Sequence, residues 1–558
     1  MKHFFILYLL LNTLTLFAQN LSYTNYVHIP SGASQQEIIE LAATLTPSPR
    51  QLAWQQMELT AFIHFGMNTF TNMEWGDGTE NPQLFNPSQL NAEQWVLTCK
   101  NAGFQLIILT AKHHDGFCLW PSQYTEHSVK NSPWKNGQGD VMKELADACH
   151  KNKMKLGIYL SPWDRHSPLY GTDEYNDYFV NQLTELLTNY GDIDEVWFDG
   201  ANGEGPNGKH QVYDQARWFA VIRNLQPNAV IAIAGPDVRW VGTETGYGRE
   251  TEWSVRSATI KNRNELESQL PEKGAFILQT SSQGTMENIL RAPSLVWHPA
   301  ETDVSIRPGW FHHPKENEQV KTPEKLFDIY CSSAGRNGVL LLNIPPDTRG
   351  LIHENDIKNL TGFNTILTNT FSVNLLADAS VSRYESEATT GLIDNALVVE
   401  FTLPEVITFD LLQLQEDIQK GQRVESFKLE YEDGGVWKEI TRGTTVGYKR
   451  ILRFDPVSAK YIRLTIESSR LNPVLSEIGL YTQSGFGENI PQIHTENFIF
   501  SQGNTLYVTA VRGSQLTVYD LSGRICLSKF VPAGKSSFSL KKGIYIVEIN
   551  KLKQKIII

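Results

Sequence analysis

The stretch Val196-Trp197-Phe198-Asp199-Gly200 reads as an apolar strand that ends abruptly in a carboxylate and a glycine. An aspartate placed where a strand meets a loop is held rigidly while its oxygens face a cleft. Such a group suits a nucleophile or a general base, and the glycine beside it leaves room for a ligand. The same pair would also serve an aspartate opening a turn or capping the next helix. The surrounding chain has to decide between the two.

Outward from this stretch, one unit repeats from about Ala61 onward: a short apolar strand, a polar loop, then an amphipathic helix. The expected strands are 61–65, 106–110, 155–160, 195–198, 230–234, 275–279 and 339–343. Helices are expected at 91–101, 141–151, 174–188 and 211–224; in the second, Val141, Leu145, Ala146 and Cys149 recur at helical spacing. Alternating strands and helices imply parallel strands joined by right-handed crossovers. The α/β pattern fits a (β/α)₈-like barrel over 19–362, with one irregular unit between Ser281 and Lys325.

After Phe363 the texture changes to short alternating segments at 398–403, 426–431, 436–441 and 460–467, the pattern of a β-sandwich over 363–483. A linker is expected at 484–496. A small all-β domain follows at 497–558, with strands at 505–511, 515–520 and 544–549.

A chain of 558 residues is too long for one core, in keeping with several domains. Its net charge of -12 argues against nucleic acid as a partner, because phosphate needs a basic surface. Residues 1–18 read as a secretory signal: Lys2 and His3, an apolar run to Phe17, and Ala18 near the cleavage point. That run is too short and interrupted for a membrane span, so the expected location is secreted or cell-surface. The five cysteines, Cys99, Cys118, Cys149, Cys331 and Cys526, show no zinc spacing and leave room for one disulfide.

In a barrel of this type the site lies at the carboxyl ends of the strands, and polar residues concentrate there. The first strand runs into His64-Phe65-Gly66, with Glu74-Trp75 in its loop. The second ends in Lys112-His113-His114-Asp115-Gly116-Phe117, the third in Tyr159-Leu160-Ser161-Pro162-Trp163-Asp164, and the fourth in Asp199. The fifth leads through Gly235-Pro236-Asp237 to Glu244, Glu250 and Glu252. Taken singly, each histidine or tryptophan could be a core residue; five consecutive strand ends are hard to explain as packing. On extended backbone His113 and His114 would point to opposite faces and bind one metal poorly, so neither a metal nor a cofactor is expected.

These motifs together, with Leu342-Asn343-Ile344-Pro345-Pro346-Asp347 and Arg349-Gly350-Leu351, resemble glycoside hydrolase family 29, the retaining α-L-fucosidases, over about residues 45–360. The resemblance implies Asp199 as nucleophile. It also implies His64, His113 and His114 as ligands of the fucose hydroxyls, with Glu74, Trp75, Tyr159 and Trp310 around the sugar. The stretch from Pro236 to Glu244 looks like the subfamily that cleaves α-1,3/1,4-linked fucose, which implies Glu244 as acid/base, with Glu250 and Glu252 as alternatives. The implied substrate is a fucosylated oligosaccharide or glycoprotein glycan. The rival readings are a broader or α-1,2 preference, or an inactive fucose-binding surface protein.

The 370–482 segment resembles a discoidin-like module of the factor 5/8 type C group, through Lys460-Tyr461-Ile462-Arg463-Leu464 and Ser476-Glu477-Ile478. The tail resembles the sorting domain of type IX secretion, through 518–524, Gly543-Ile544-Tyr545-Ile546-Val547 and the basic end at 551–555, which implies the secretion machinery as a partner.

Overall fold

The computed structural model describes residues 23–269, 284–387, 391–484, 498–502, 505–510, 514–520, 522–531, 534–549 and 552–557. The expected signal and all of the linker but Ser484 lie outside them, as does the expected strand 275–279.

Among the described residues, eight strands form the barrel: β1 (Leu59–Ile63), β2 (Leu106–Lys112), β3 (Lys155–Leu160), β4 (Glu195–Phe198), β5 (Val230–Ile233), β6 (Arg239–Trp240), β7 (Ala300–Ser305) and β8 (Gly338–Asn343). Their spatial order is β5-β4-β3-β2-β1-β8-β7-β6, and every neighbouring pair is parallel. The barrel is nearly closed. A short segment with no helix joins β5 to β6, and an antiparallel bridge between Ala234 and Arg239, with Val238 N donating to Ile231 O at 3.4 Å, spans that gap.

Strands covered on both faces need apolar residues on both, and β2 is buried along its whole length, Lys112 included. Lys112 is accommodated there because its Nζ donates to Asp164 Oδ2 at 3.0 Å and to Gln182 Oε1 at 2.9 Å. The outer helices start at side-chain caps. Asn91 caps α1 (Ala92–Asn101), Asp140 caps α2 (Val141–Asn152) and Asp214 caps α4 (Gln215–Leu225), each accepting from a backbone N–H. The Asp214 cap is why α4 begins four residues later than the periodicity suggests. Glu174–Asn189 is α3, Pro323–Ser332 is α5 and Glu354–Phe371 is α6.

The region expected to be irregular, 281–325, holds a regular barrel strand. In β7 the sequence Ala-Glu-Thr-Asp-Val-Ser sends Glu301 and Asp303 to one face, so it does not read as a buried strand. The short β6 was not foreseen either. Outside the barrel, Tyr26–His28, Ser294–Trp297 and Val255–Ala258 form a small antiparallel sheet.

Beyond α6, six strands (Ser380–Glu385, Ile393–Glu416, Val424–Asp433, Val436–Gly443, Arg450–Ser469 and Leu475–Tyr481) form one antiparallel network. The two long strands change register between Thr402 and Ile407 and between Phe409 and Leu411. Bulges of this kind bend a sheet, and residues on both sides of them (Leu397, Phe401, Leu412, Leu414) share one core with Phe427 and Leu464. The tail has a three-stranded and a four-stranded antiparallel sheet around Leu506, Val508, Leu516, Val518 and Val547. Among the described residues no helix is long and apolar enough to cross a membrane, and all five cysteines are free.

Candidate active site

Alternation along β4 turns Phe198 outward against Phe179 and Trp218 of the helices, and Trp197 inward, where its ring stacks on Tyr159 at 5.2 Å. Asp199 follows at the mouth. Its Oδ2 accepts from the Tyr159 hydroxyl at 3.2 Å and its Oδ1 from the Ala201 N–H at 2.7 Å. His114 Nε2 lies 3.8 Å from Oδ2, and the side chain keeps 27% of its surface open. The carboxylate is therefore aimed from three sides and still reachable.

The three histidines gather on one side of it. The rings of His113 and His114 are 4.1 Å apart and those of His64 and His113 are 5.7 Å apart. The expectation that adjacent histidines diverge is corrected here. The backbone leaves β2 at Lys112 with a register shift, and a turn in which Gly116 N–H donates to His113 O brings both rings to the same face.

Burial dominates their titration: it holds His64 at about 3, His113 well below the usual imidazole value and His114 lowered despite the Asp199 charge. All three are neutral near pH 7, and their partners set the tautomers. His64 Nδ1 faces Asn343 Oδ1 at 2.9 Å, so it carries the proton and Nε2 accepts. His114 Nδ1 faces Ser161 Oγ at 2.7 Å, and that hydroxyl donates to Trp163 O, so His114 Nε2 also accepts. Asn68 Nδ2 lies 3.2 Å from His113 Nδ1, leaving Nε2–H as a donor. Two acceptors and a donor side by side suit a row of hydroxyl groups.

Aromatic rings line the rest. Trp75, 57% exposed, meets His114 and Trp163 edge-on at 5.9 and 5.8 Å. Trp310 lies 5.1 Å from His64. Glu74 fixes the Trp310 loop, accepting from Trp310 N at 2.9 Å, Phe311 N at 3.2 Å and His313 Nε2 at 2.6 Å.

Of the three glutamates after β6, Glu244 contacts this cluster. Trp310 Nε1 donates to its Oε2 at 3.4 Å. Burial raises its pKa, the Asp199 and Glu74 charges raise it further, and the Trp310 N–H opposes them. Glu252 is buried between Arg239 and Arg249; burial alone would raise it, and the two arginines hold it below the ordinary value. Glu250 is tied to Arg336 at 3.0 Å.

Asn343 and His313, which orient His64 and Glu74, escaped the sequence reading as site residues. The signal for Asn343 was available: it ends β8, as the other site residues end their strands.

Residues 51–369 match the sequence profile of the family described as Alpha-L-fucosidase. Alpha-L-fucosidase 1 of Arabidopsis thaliana is 44% identical over 474 residues, covering 80% of this chain and 90% of that one. A Bacteroides ovatus protein of known structure is 43% identical with a TM-score of 0.76, over 96% of this chain and 95% of the other. A Ruminococcus gnavus family 29 fucosidase solved in complex with fucose is 32% identical, TM-score 0.69, covering 84% and 98%.

Proposed function

The chain belongs to the α-L-fucosidase family of glycoside hydrolases, and from that premise we propose a retaining, exo-acting enzyme with Asp199 as nucleophile and Glu244 as acid/base. The observation that supports this reading is the setting of Glu244: Trp310, whose ring lies 5.1 Å from His64, donates to it at 3.4 Å, burial and then the Asp199 charge raise it, and the neighbouring glutamates pair with arginines.

In a retaining mechanism two carboxyls about 5–5.5 Å apart flank the anomeric carbon. Asp199 Oδ attacks C1 as Glu244 gives its proton to the departing oxygen, leaving a fucosyl ester and a free alcohol. Esterification removes the Asp199 charge and with it part of what holds the Glu244 proton. Glu244 can then take a proton from the water that releases fucose. Neutral His64, His113 and His114 exchange hydrogen bonds with the ring hydroxyls. The rings of Trp75 and Trp310 pack the apolar side of a deoxy sugar.

For linkage we propose α-1,3/1,4-fucosyl branches on oligosaccharides, supported by the likeness of the segment from Pro236 to Glu244 to that subfamily. The test is fucose release from a Lewis-type trisaccharide and from 2-linked fucosyllactose, by wild type and Glu244→Gln. Release from the branched sugar alone, lost in the variant, is expected. Release by the variant would move the acid elsewhere, and equal rates on both sugars would refute the linkage.

We also read 1–18 as an export signal, 370–482 as a discoidin-like module and 497–558 as a sorting domain, supported by their sequence patterns. Mass determination of the mature ends from a secreting host checks the two terminal assignments.

A further inference from the structure

The loop 241–254 carries Glu244; the barrel contacts it along its length, and the antiparallel domain joins in at its far end. The barrel holds its first half. Val241 N donates to Glu301 O at 2.9 Å and Gly246 N to Asp303 O at 3.1 Å. Gly246, at φ +76°, sits where a Cβ would fall 2.8 Å from Ile329 Cγ2 and Val304 Cγ1, so the chain is pressed onto β7 and α5 two residues after the acid.

The second half is gripped from both sides: from the barrel, Arg336 donates to Gly248 O and Asn337 Nδ2 to Glu252 O, each at 3.0 Å, and the antiparallel domain holds the other side. Thr444 Oγ1 and Arg450 donate to Glu250 O at 3.1 and 2.6 Å, and Thr251 donates to Thr444 Oγ1 at 2.8 Å. Glu252 N donates to Thr445 Oγ1 at 3.2 Å. Gln422 brackets the next peptides, giving Nε2–H to Glu252 O at 3.0 Å and accepting from Ser254 N at 2.8 Å. Gln422, Thr445 and Arg450 are all buried, so the seam is dry at its centre. A third tie reaches the middle of the loop: Arg453 pairs with Asp328, which accepts from the Tyr247 hydroxyl at 2.5 Å.

Asp199 is independent of all this, because its partners Tyr159, Ala201 and His114 belong to the barrel. We propose that the antiparallel domain is a positioning element for the acid. On this view Gln422, Thr444, Thr445 and Arg450 fix the far end of the Glu244 loop, and Arg453 steadies its middle through Asp328 and Tyr247. The inference rests on the assignment of Glu244 given above and extends it to a second domain. Loosening the seam misplaces a proton donor and leaves the nucleophile in place, so the damage should depend on how much the leaving group needs a proton.

The experiment compares kcat/KM for an alkyl or sugar fucoside, whose leaving oxygen must be protonated, with that for 2,4-dinitrophenyl fucoside, whose leaving group departs unaided. Both are measured on one preparation, so the fraction of folded enzyme cancels in the ratio. The variants are the double Thr444→Val/Thr445→Val, Arg450→Met, and Thr444→Ser/Thr445→Ser, which restores the hydroxyls. In the first two the alkyl-to-aryl ratio should fall about tenfold, a part of the 10²–10⁴ that a positioned acid contributes, and the serine variant should recover it. An unchanged ratio in both would overturn the proposal. Glu244→Gln runs in parallel. If it lowers the ratio and the seam variants do not, only the positioning role fails; if it leaves the ratio unchanged, the acid assignment fails and this proposal with it.

Discussion

Glu301→Gln should flatten the dependence of stability on pH. Glu195 in β4 and Glu301 in β7 are fully buried in the barrel. Trp54 Nε1 donates to Glu195 Oε2 at 2.9 Å and Trp197 Nε1 to Glu301 Oε2 at 2.7 Å. The two carboxyls bond to each other, and Oε1 of each has no N–H or other O–H to meet. Two adjacent carboxylates cannot both ionise in such a place. Burial pushes Glu195 up to about 8, and burial together with the Glu195 charge pushes Glu301 well above the carboxylate range.

Both would titrate near 4.5 in the unfolded chain, so over the intervening window the folded protein retains at least one proton that the unfolded chain gives up. A pKa raised by folding contributes stability that is complete below the unfolded value and is lost as pH rises through the folded one. The slope is about 1.4 kcal/mol per pH unit for each retained proton, or about 2.7 kcal/mol between pH 5.5 and 7.5. For a cooperative barrel of roughly 320 residues, with an unfolding entropy of about 0.7 kcal/mol/K, that is a fall in Tm of about 4 °C.

In Glu301→Gln the amide oxygen still accepts from Trp197 and its N–H₂ donates to Glu195; burial still holds Glu195 up, but the folded protein has one raised carboxyl fewer, and the pH dependence of one retained proton goes with it. Calorimetric Tm values at pH 5.5 and 7.5 for both proteins provide the measurement. Wild type should lose about 4 °C more than the variant. Parallel curves would mean that Glu301 retains no proton in this window, and the reasoning would fail.

Three further outcomes are expected. Asp199→Ala should lose at least about 10³ in kcat/KM, a conservative figure for deleting a nucleophile, and azide should partly restore turnover by forming a fucosyl azide of inverted configuration; ordinary turnover without azide would remove Asp199 from the role. Trp310→Phe removes the N–H that holds the Glu244 pKa down. The proton donor then persists to higher pH, and the basic limb of the kcat/KM profile should move upward; a downward move would contradict the contact. Lys112→Met leaves Asp164 buried without its cation, and the loss should be about 3–5 kcal/mol in denaturant unfolding; a change below about 1 kcal/mol, the value of an exposed pair, would show that the pair is solvated.

What could be read from the chain follows the physics of strand ends. His64, Tyr159 and Asp199 were legible because each terminates an apolar run, and a parallel barrel gathers such termini on one rim. His113 and His114 misled on geometry, since their convergence depends on a register shift at the end of β2 that no residue pattern announces. The strand β7 was hidden for a different reason. Its Glu301 and Asp303 look like surface residues until the partners that accommodate them, Trp197 and Trp240, arrive from other strands.

The same logic separates the three glutamates after β6. By residue type alone they are equivalent carboxylates within nine residues, and only the resemblance of the segment before it favoured Glu244. Arg239 and Arg249 hold Glu252 below its ordinary value and Arg336 pairs with Glu250, whereas burial and then the charges of Asp199 and Glu74 raise Glu244, the proposed acid. A general acid is thus defined by the charges brought near it, and those are set by tertiary structure. The loop that delivers Glu244 is also clasped by Thr444, Thr445, Gln422 and Arg450 from a domain whose own pattern gives no hint of the barrel. Asp199, the proposed nucleophile, follows one strand and could be found by reading that strand; Glu244, the proposed acid, was named only through the resemblance of the segment before it, and the seam that holds its loop lies between domains.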